Sequence, residues 1–202
     1  MRNKKFHLIL LRGLITPAVL FIFFFNLSNA NDIKSAEIFI QNLSDKIILI
    51  VENDWTVKEK QDELHYLFEY NASVKTISRA ALGSKWRVID KNIQEKFTDS
   101  FTRYLVRKYG KQFEEFNGAK LVIEKSVDAG KKGILVYTRL IMPATSPISV
   151  KWQVWQKNSE NKLLDIIIED ISMLTMEREE IKNRLEVHNG KILLLINDLE
   201  QD

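Results

Sequence analysis

The chain of 202 residues has no cysteine. That excludes a disulfide framework, a thiolate metal site and a cysteine nucleophile. It has only seven glycines and three prolines. No GxGxxG or GxxxxGK run occurs, so no glycine-rich loop cradles a phosphate. Histidine is scarce too. His65 and His188 are the two beyond the first thirty residues. Neither sits in an HxH or HExxH spacing, so the chain offers no metal site of known pattern. No serine lies in a GxSxG elbow, and a Ser-His-Asp triad has little raw material. Beyond residue 30 there is no apolar run long enough to span a bilayer. What is present is ordinary: 45% hydrophobic and 28% charged residues, the balance of a globular domain and not of a disordered chain.

The formal charge of +3, from 30 bases and 27 acids, belongs to the amino terminus. Residues 1–30 carry Arg2, Lys4, Lys5 and Arg12 and no acid. Without those four the remainder holds 26 bases against 27 acids. A near-neutral body has no electrostatic footprint for nucleic acid. Met1–Ala30 reads as a secretory signal: a basic start, an apolar run from Leu14 to Phe25 broken by Pro17, then Ser28-Asn29-Ala30 with small residues where a signal peptidase reads. Cleavage is expected after Ala30, leaving residues 31–202 as one domain. The apolar run falls short of the ~20 residues a membrane anchor needs, and a lipid-anchored amino terminus would need a cysteine. An exported, cysteine-free domain suits a bacterial periplasm.

The hydrophobic period changes once along the domain. In Asp32–Asn53, Ile33, Ala36, Ile40, Leu43, Ile47 and Ile50 form a stripe at helical spacing, with Asp32 as the expected N-cap. Helices are expected over Val57–Tyr70 and Val74–Leu82, the latter closed by Gly83. A long helix from Asp90, striped by Ile93, Phe97, Phe101, Tyr104, Leu105 and Tyr109, is expected to end at Gly110. From Leu121 the pattern alternates. Gly130 and Gly133 bracket a hairpin turn. Ile134, Val136, Thr138, Leu140 and Met142 share one strand face, and Ile148, Val150, Trp152 and Val154 another. Asn158–Asn161 marks a polar turn before Leu163–Ile168, and the tail from Ser172 is helical again. Four consecutive strands with short connections make an antiparallel meander. The expected class is α+β: an antiparallel four-stranded curved sheet covered by a layer of helices.

Two features bear on function. Asp165, Glu169 and Asp170 cluster at a strand end, where paired carboxylates do acid/base work or cap the next helix. Lys131-Lys132 and Glu177–Glu180 read as solvated charge. There is also more apolar surface than a two-layer core needs, with Trp55, Trp86, Trp152 and Trp155 all in the domain. A dimer interface, a very full core and a cavity for a greasy ligand all satisfy that pattern.

Local motifs narrow the choice. Ile77-Ser78-Arg79-Ala80-Ala81-Leu82-Gly83 with Trp86-Arg87 resembles the "I-A-R-x-x-L-G-x-x-W-R" segment of the MlaC/toluene-tolerance family of periplasmic phospholipid carriers. Phe97, Phe101, Leu105 and Tyr109 resemble its next segment, and Tyr137-x-Arg139-Leu140 its central strand. Leu164-Asp165-Ile166-x-Ile168-Glu169-Asp170-Ile171-Ser172 with Arg178 is similar to its "D-v-x-I-E-G-V-S … R" signature. The leucine-rich end, with Leu194 and Leu199, also matches. The likeness spans residues 33–200. Two places depart from it: the family's glycine is Asp170 here, and Lys162-Leu163-Leu164-Asp165 stands where the family has an aromatic "W-K-V-Y-D".

The resemblance implies a carrier that moves phospholipid between an outer-membrane lipoprotein complex and an inner-membrane ABC transporter complex. It implies no catalytic residues and no cofactor, with acyl chains held in an apolar cavity between sheet and helices. By strand and helix face, Phe101, Leu105, Ile134, Val136, Leu140, Trp152, Val154, Ile166 and Ile168 are the candidate lipid-contact residues; solid core is the competing role for each. The rival functions are an exported enzyme using Asp165 or Glu169 as acid or base, and an adaptor with no internal ligand.

Overall fold

In a computed structural model the described residues are 22–113, 116–143, 145–157 and 160–201. The expected leader before Ile22 lies outside them. Four helices come first: α1 (Ile22–Glu52), α2 (Val57–Asn71), α3 (Val74–Leu82) and, after a 3-10 turn at Gly83–Arg87, α4 (Lys91–Phe113). Five strands follow: β1 (Lys120–Asp128), β2 (Ile134–Ile141), β3 (Ile148–Lys157), β4 (Glu160–Ile168) and β5 (Ile171–Ser172). Two helices, α5 (Met173–Val187) and α6 (Ile192–Gln201), end the chain.

The helix ends follow local chemistry. Thr56 and Glu59 close a reciprocal capping box on α2: each side chain accepts the other's backbone N–H, at 2.8 Å to Glu59 and 3.3 Å to Thr56. Asp90 caps α4 by accepting the Ile93 N–H at 2.9 Å. Gly83 ends α3 at φ +63°, which its missing Cβ permits. Two expectations about ends are corrected. Asp32 is no N-cap, because α1 runs unbroken from Ile22. Gly110 does not end α4, which continues to Phe113. Its bare Cα faces α2 instead: a Cβ there would meet Gln61 and Leu64 at 3.8 Å.

The sheet is an antiparallel meander in the order β1-β2-β3-β4-β5. It therefore has five strands, not four. The extra strand is two residues long, too short to show a period of two. It is made by the tight turn at Glu169 and Asp170, whose φ values of +47° and +67° are both left-handed, as two-residue hairpin loops require. Asp170, in the family's glycine position, thus holds a backbone conformation that glycine adopts more readily. The polar turn is also shorter than expected: Glu160 and Asn161 pair with Lys157 and Gln156. Residues 158 and 159 lie outside the described set.

Register shifts at Ile123/Lys125 and Gln153/Val154 insert bulges that bend the sheet. Alternation settles its inner face. Ile134, Val136, Thr138 and Leu140 are buried on β2, and Val150, Trp152 and Val154 on β3. α1 lies across β1 to β4, while α3 packs on α5 and β4. α4 packs against α2, α3 and α6. On α4, Phe97 and Phe101 are fully buried with ring centroids 5.4 Å apart, so part of its aromatic stripe is core.

Candidate functional site: an apolar cavity between sheet and helices

The two layers do not close completely. Between them lies a cavity of about 210 Å³. Its sheet wall is made by residues of β1, β2, β3 and β4. Its helical walls come from α1, α2, α3, α4 and α5. The lining is almost all aliphatic and aromatic.

Of the nine residues expected to contact lipid, Leu140, Trp152, Ile166 and Ile168 line the sheet wall and Phe101 and Leu105 the α4 wall. Ile134, Val136 and Val154 do not. They lie in the filled core, with 5%, 0% and 0% exposure. Alternation identifies which face of a strand turns inward, and not how far along that face the helices close over it. The sequence reading left out the α1 and α2 walls. Leu43, Ile47, Leu64, Leu67 and Phe68 line them. Leu43 and Ile47 were legible as inward-facing from the α1 stripe, but core and cavity wall use the same residue types.

Trp152 shows how a polar atom is reconciled with a greasy wall. Its indole N–H donates to Thr138 Oγ1 at 3.0 Å, and that hydroxyl donates to the Val150 carbonyl at 2.9 Å. The only polar atom of the ring is satisfied inside the sheet, so the ring lines the cavity at no hydrogen-bonding cost.

The strand-end acids have structural partners. Asp165 Oδ1 accepts the Leu174 N–H at 2.9 Å, and Oδ2 accepts the Ser172 hydroxyl at 2.5 Å. Ser172 Oγ in turn accepts the Thr175 N–H at 3.0 Å. Asp165 therefore secures the first turn of α5, where bare N–H groups attract an acid. Glu169 accepts the Ser149 N–H at 2.6 Å, and Asp170 bonds Lys151. Among the described residues no group of three His, Cys, Asp or Glu is placed to hold a metal.

Glu177 is the correction. Expected in solvent, it is 2% exposed and lines the cavity. Its Oε1 accepts Lys108 Nζ at 2.7 Å and also the Tyr109 hydroxyl. The signal for it was its phase: Glu177 stands four residues after Met173 and four before the buried Ile181, on the inward stripe of α5. Burial works against the Lys108 charge, but the hydrogen bonds to Glu177 and Tyr104 and the Glu177 charge outweigh it and raise the ammonium above its ordinary pKa. Burial, then the Glu177 contact, pushes the Tyr109 phenol up as well.

The architecture has solved counterparts. The fold matches that of a phospholipid-binding protein from Ralstonia solanacearum, solved in complex with a phospholipid. The TM-score is 0.71 at 14% identity, over 81% of this chain and 93% of that one. A search of curated proteins gives no match. Among the described residues no helix is long and apolar enough to cross a membrane. The sequence model of the MlaC protein family matches residues 41–201, which takes in every element from the middle of α1 to the end of α6. The chain belongs to the MlaC family.

Proposed function

We propose that this protein is a periplasmic phospholipid carrier, shuttling lipid between an outer-membrane lipoprotein complex and the inner-membrane complex of an Mla-type ABC transport system. The observation that carries the reading is the apolar cavity between the two layers. A void of ~150 Å³ with aliphatic and aromatic walls already admits benzene. At about 210 Å³ this one takes a stretch of acyl chain. Leu140, Trp152, Ile166, Ile168, Phe101 and Leu105 are the proposed lipid contacts.

The energetics define the task. A phospholipid has roughly thirty methylenes, each worth about 0.8 kcal/mol when removed from water. Crossing water unprotected would cost on the order of 20 kcal/mol. A greasy cavity replaces bilayer by surroundings of similar apolarity, so loading and unloading are near balance and docking can tip them. Export through the expected signal, with cleavage after Ala30, would leave Asp32 in the first turn of α1, where its charge favours the helix. No catalytic residue is needed.

The test is transfer of labelled phospholipid from donor to acceptor vesicles across an aqueous gap. The protein should speed it in proportion to its concentration, and the loaded protein should bind the purified inner-membrane complex. A protein that leaves transfer at the spontaneous rate is not a carrier.

A further inference from the structure

Among the described residues only two charged ones line the cavity, Asp165 and Glu177. Both oxygens of Asp165 are engaged at the start of α5. Glu177 is different. Both of its bonds, from Lys108 and Tyr109, go to Oε1. Oε2 is buried with no hydrogen-bond partner among the described residues, on a side chain only 3% exposed. A buried acceptor without a donor is costly, and native interiors rarely leave one. A carboxylate only accepts, so what completes it must donate.

Its location says what the donor belongs to. Glu177 borders the cavity, whereas the Lys108 side chain bonded to it is one-third exposed. The cluster therefore stands where the greasy interior meets water. A lipid with its tails in the cavity has its polar end at such a boundary. Phosphate and ester oxygens accept and cannot serve. A choline headgroup carries no N–H. An ethanolamine ammonium or a glycerol hydroxyl can donate to Oε2.

We infer that Glu177 reads the polar end of the cargo, selecting lipids whose headgroup carries an N–H or O–H donor over those with a quaternary ammonium. This rests on the carrier reading and names its specificity-determining residue.

The experiment loads delipidated protein from vesicles holding equal amounts of phosphatidylethanolamine, its N,N-dimethyl derivative, phosphatidylcholine and phosphatidylglycerol, all with the same acyl chains. Bound lipid is read by mass spectrometry. The ethanolamine and dimethyl lipids should be enriched about tenfold over the choline lipid, the step falling at the methylation that removes the last N–H. Enrichment of the glycerol lipid as well assigns the contact to any donor; its absence assigns the contact to the ammonium. In Glu177→Gln the enrichment should fall towards unity while choline-lipid uptake persists. The double variant Lys108→Met with Glu177→Leu removes both charges of the pair together, leaving neither unpaired, and should behave alike if the single variant does not fold. Uptake of all four lipids in vesicle proportion overturns the inference and spares the carrier reading, as does enrichment that survives both variants. No uptake of any lipid overturns both.

Discussion

Leu140 and Val136 lie on the same face of one strand, two positions apart in its inward row, yet one borders the cavity and the other does not. Tryptophan at each should therefore fail in different ways. Leu140→Trp puts an indole into free volume. If it displaces about four methylenes of bound acyl chain at ~0.8 kcal/mol each, lipid affinity falls by about 3 kcal/mol, on the order of a hundredfold, with little change in stability. Val136 is fully buried in the filled core, so Val136→Trp must displace its neighbours. Overpacking of that kind costs about 1–3 kcal/mol. Urea denaturation of lipid-free protein reads the stability, and native mass spectrometry of protein loaded from vesicles reads the occupancy. The reasoning is refuted if Leu140→Trp lowers stability as much as Val136→Trp while keeping its lipid.

Three further outcomes follow from the geometry. Asp170→Gly relieves a left-handed residue at φ +67° and should raise stability by about 1 kcal/mol in denaturant titration; the ion pair that the exposed Asp170 makes with Lys151 contributes little against that. Asp165→Asn weakens the cap on α5 and should cost about 1 kcal/mol by the same titration, while vesicle-to-vesicle transfer continues; abolition of transfer in a folded variant would make Asp165 more than a cap. Stability should also decline at alkaline pH. The folded-state pKa values of Lys108 and Tyr109 are raised above 10.5 and 10.0, so their contribution is complete below those values and is lost as pH climbs past them. Glu177→Gln should flatten that decline, and an unchanged slope would show that the cluster does not cause it.

Much of this architecture was legible because periodicity is a local signal. The α1 and α4 stripes and the alternation of β2 and β3 could be read directly, and the ordered motifs supplied the family. What escaped depends on tertiary placement. β5 is too short for a period and rests on a turn whose φ values no spacing displays. Gly110 reads as a terminator until α2 is seen against it. Ile134 and Leu140 carry the same signal, and only the extent of helical cover separates core from cavity. Glu177 was hidden by its charged neighbours, since a run of acids resembles a solvated face unless the helical phase is followed through it.

The central claim is that the space between sheet and helices holds lipid. Mass spectrometry of organic extracts from the protein, purified without detergent, tests it most directly. Phospholipid in near-stoichiometric amount, sharply reduced in Leu140→Trp, is the predicted result. Repeated recovery of folded protein with no lipid, unable to take any up from vesicles, would contradict it.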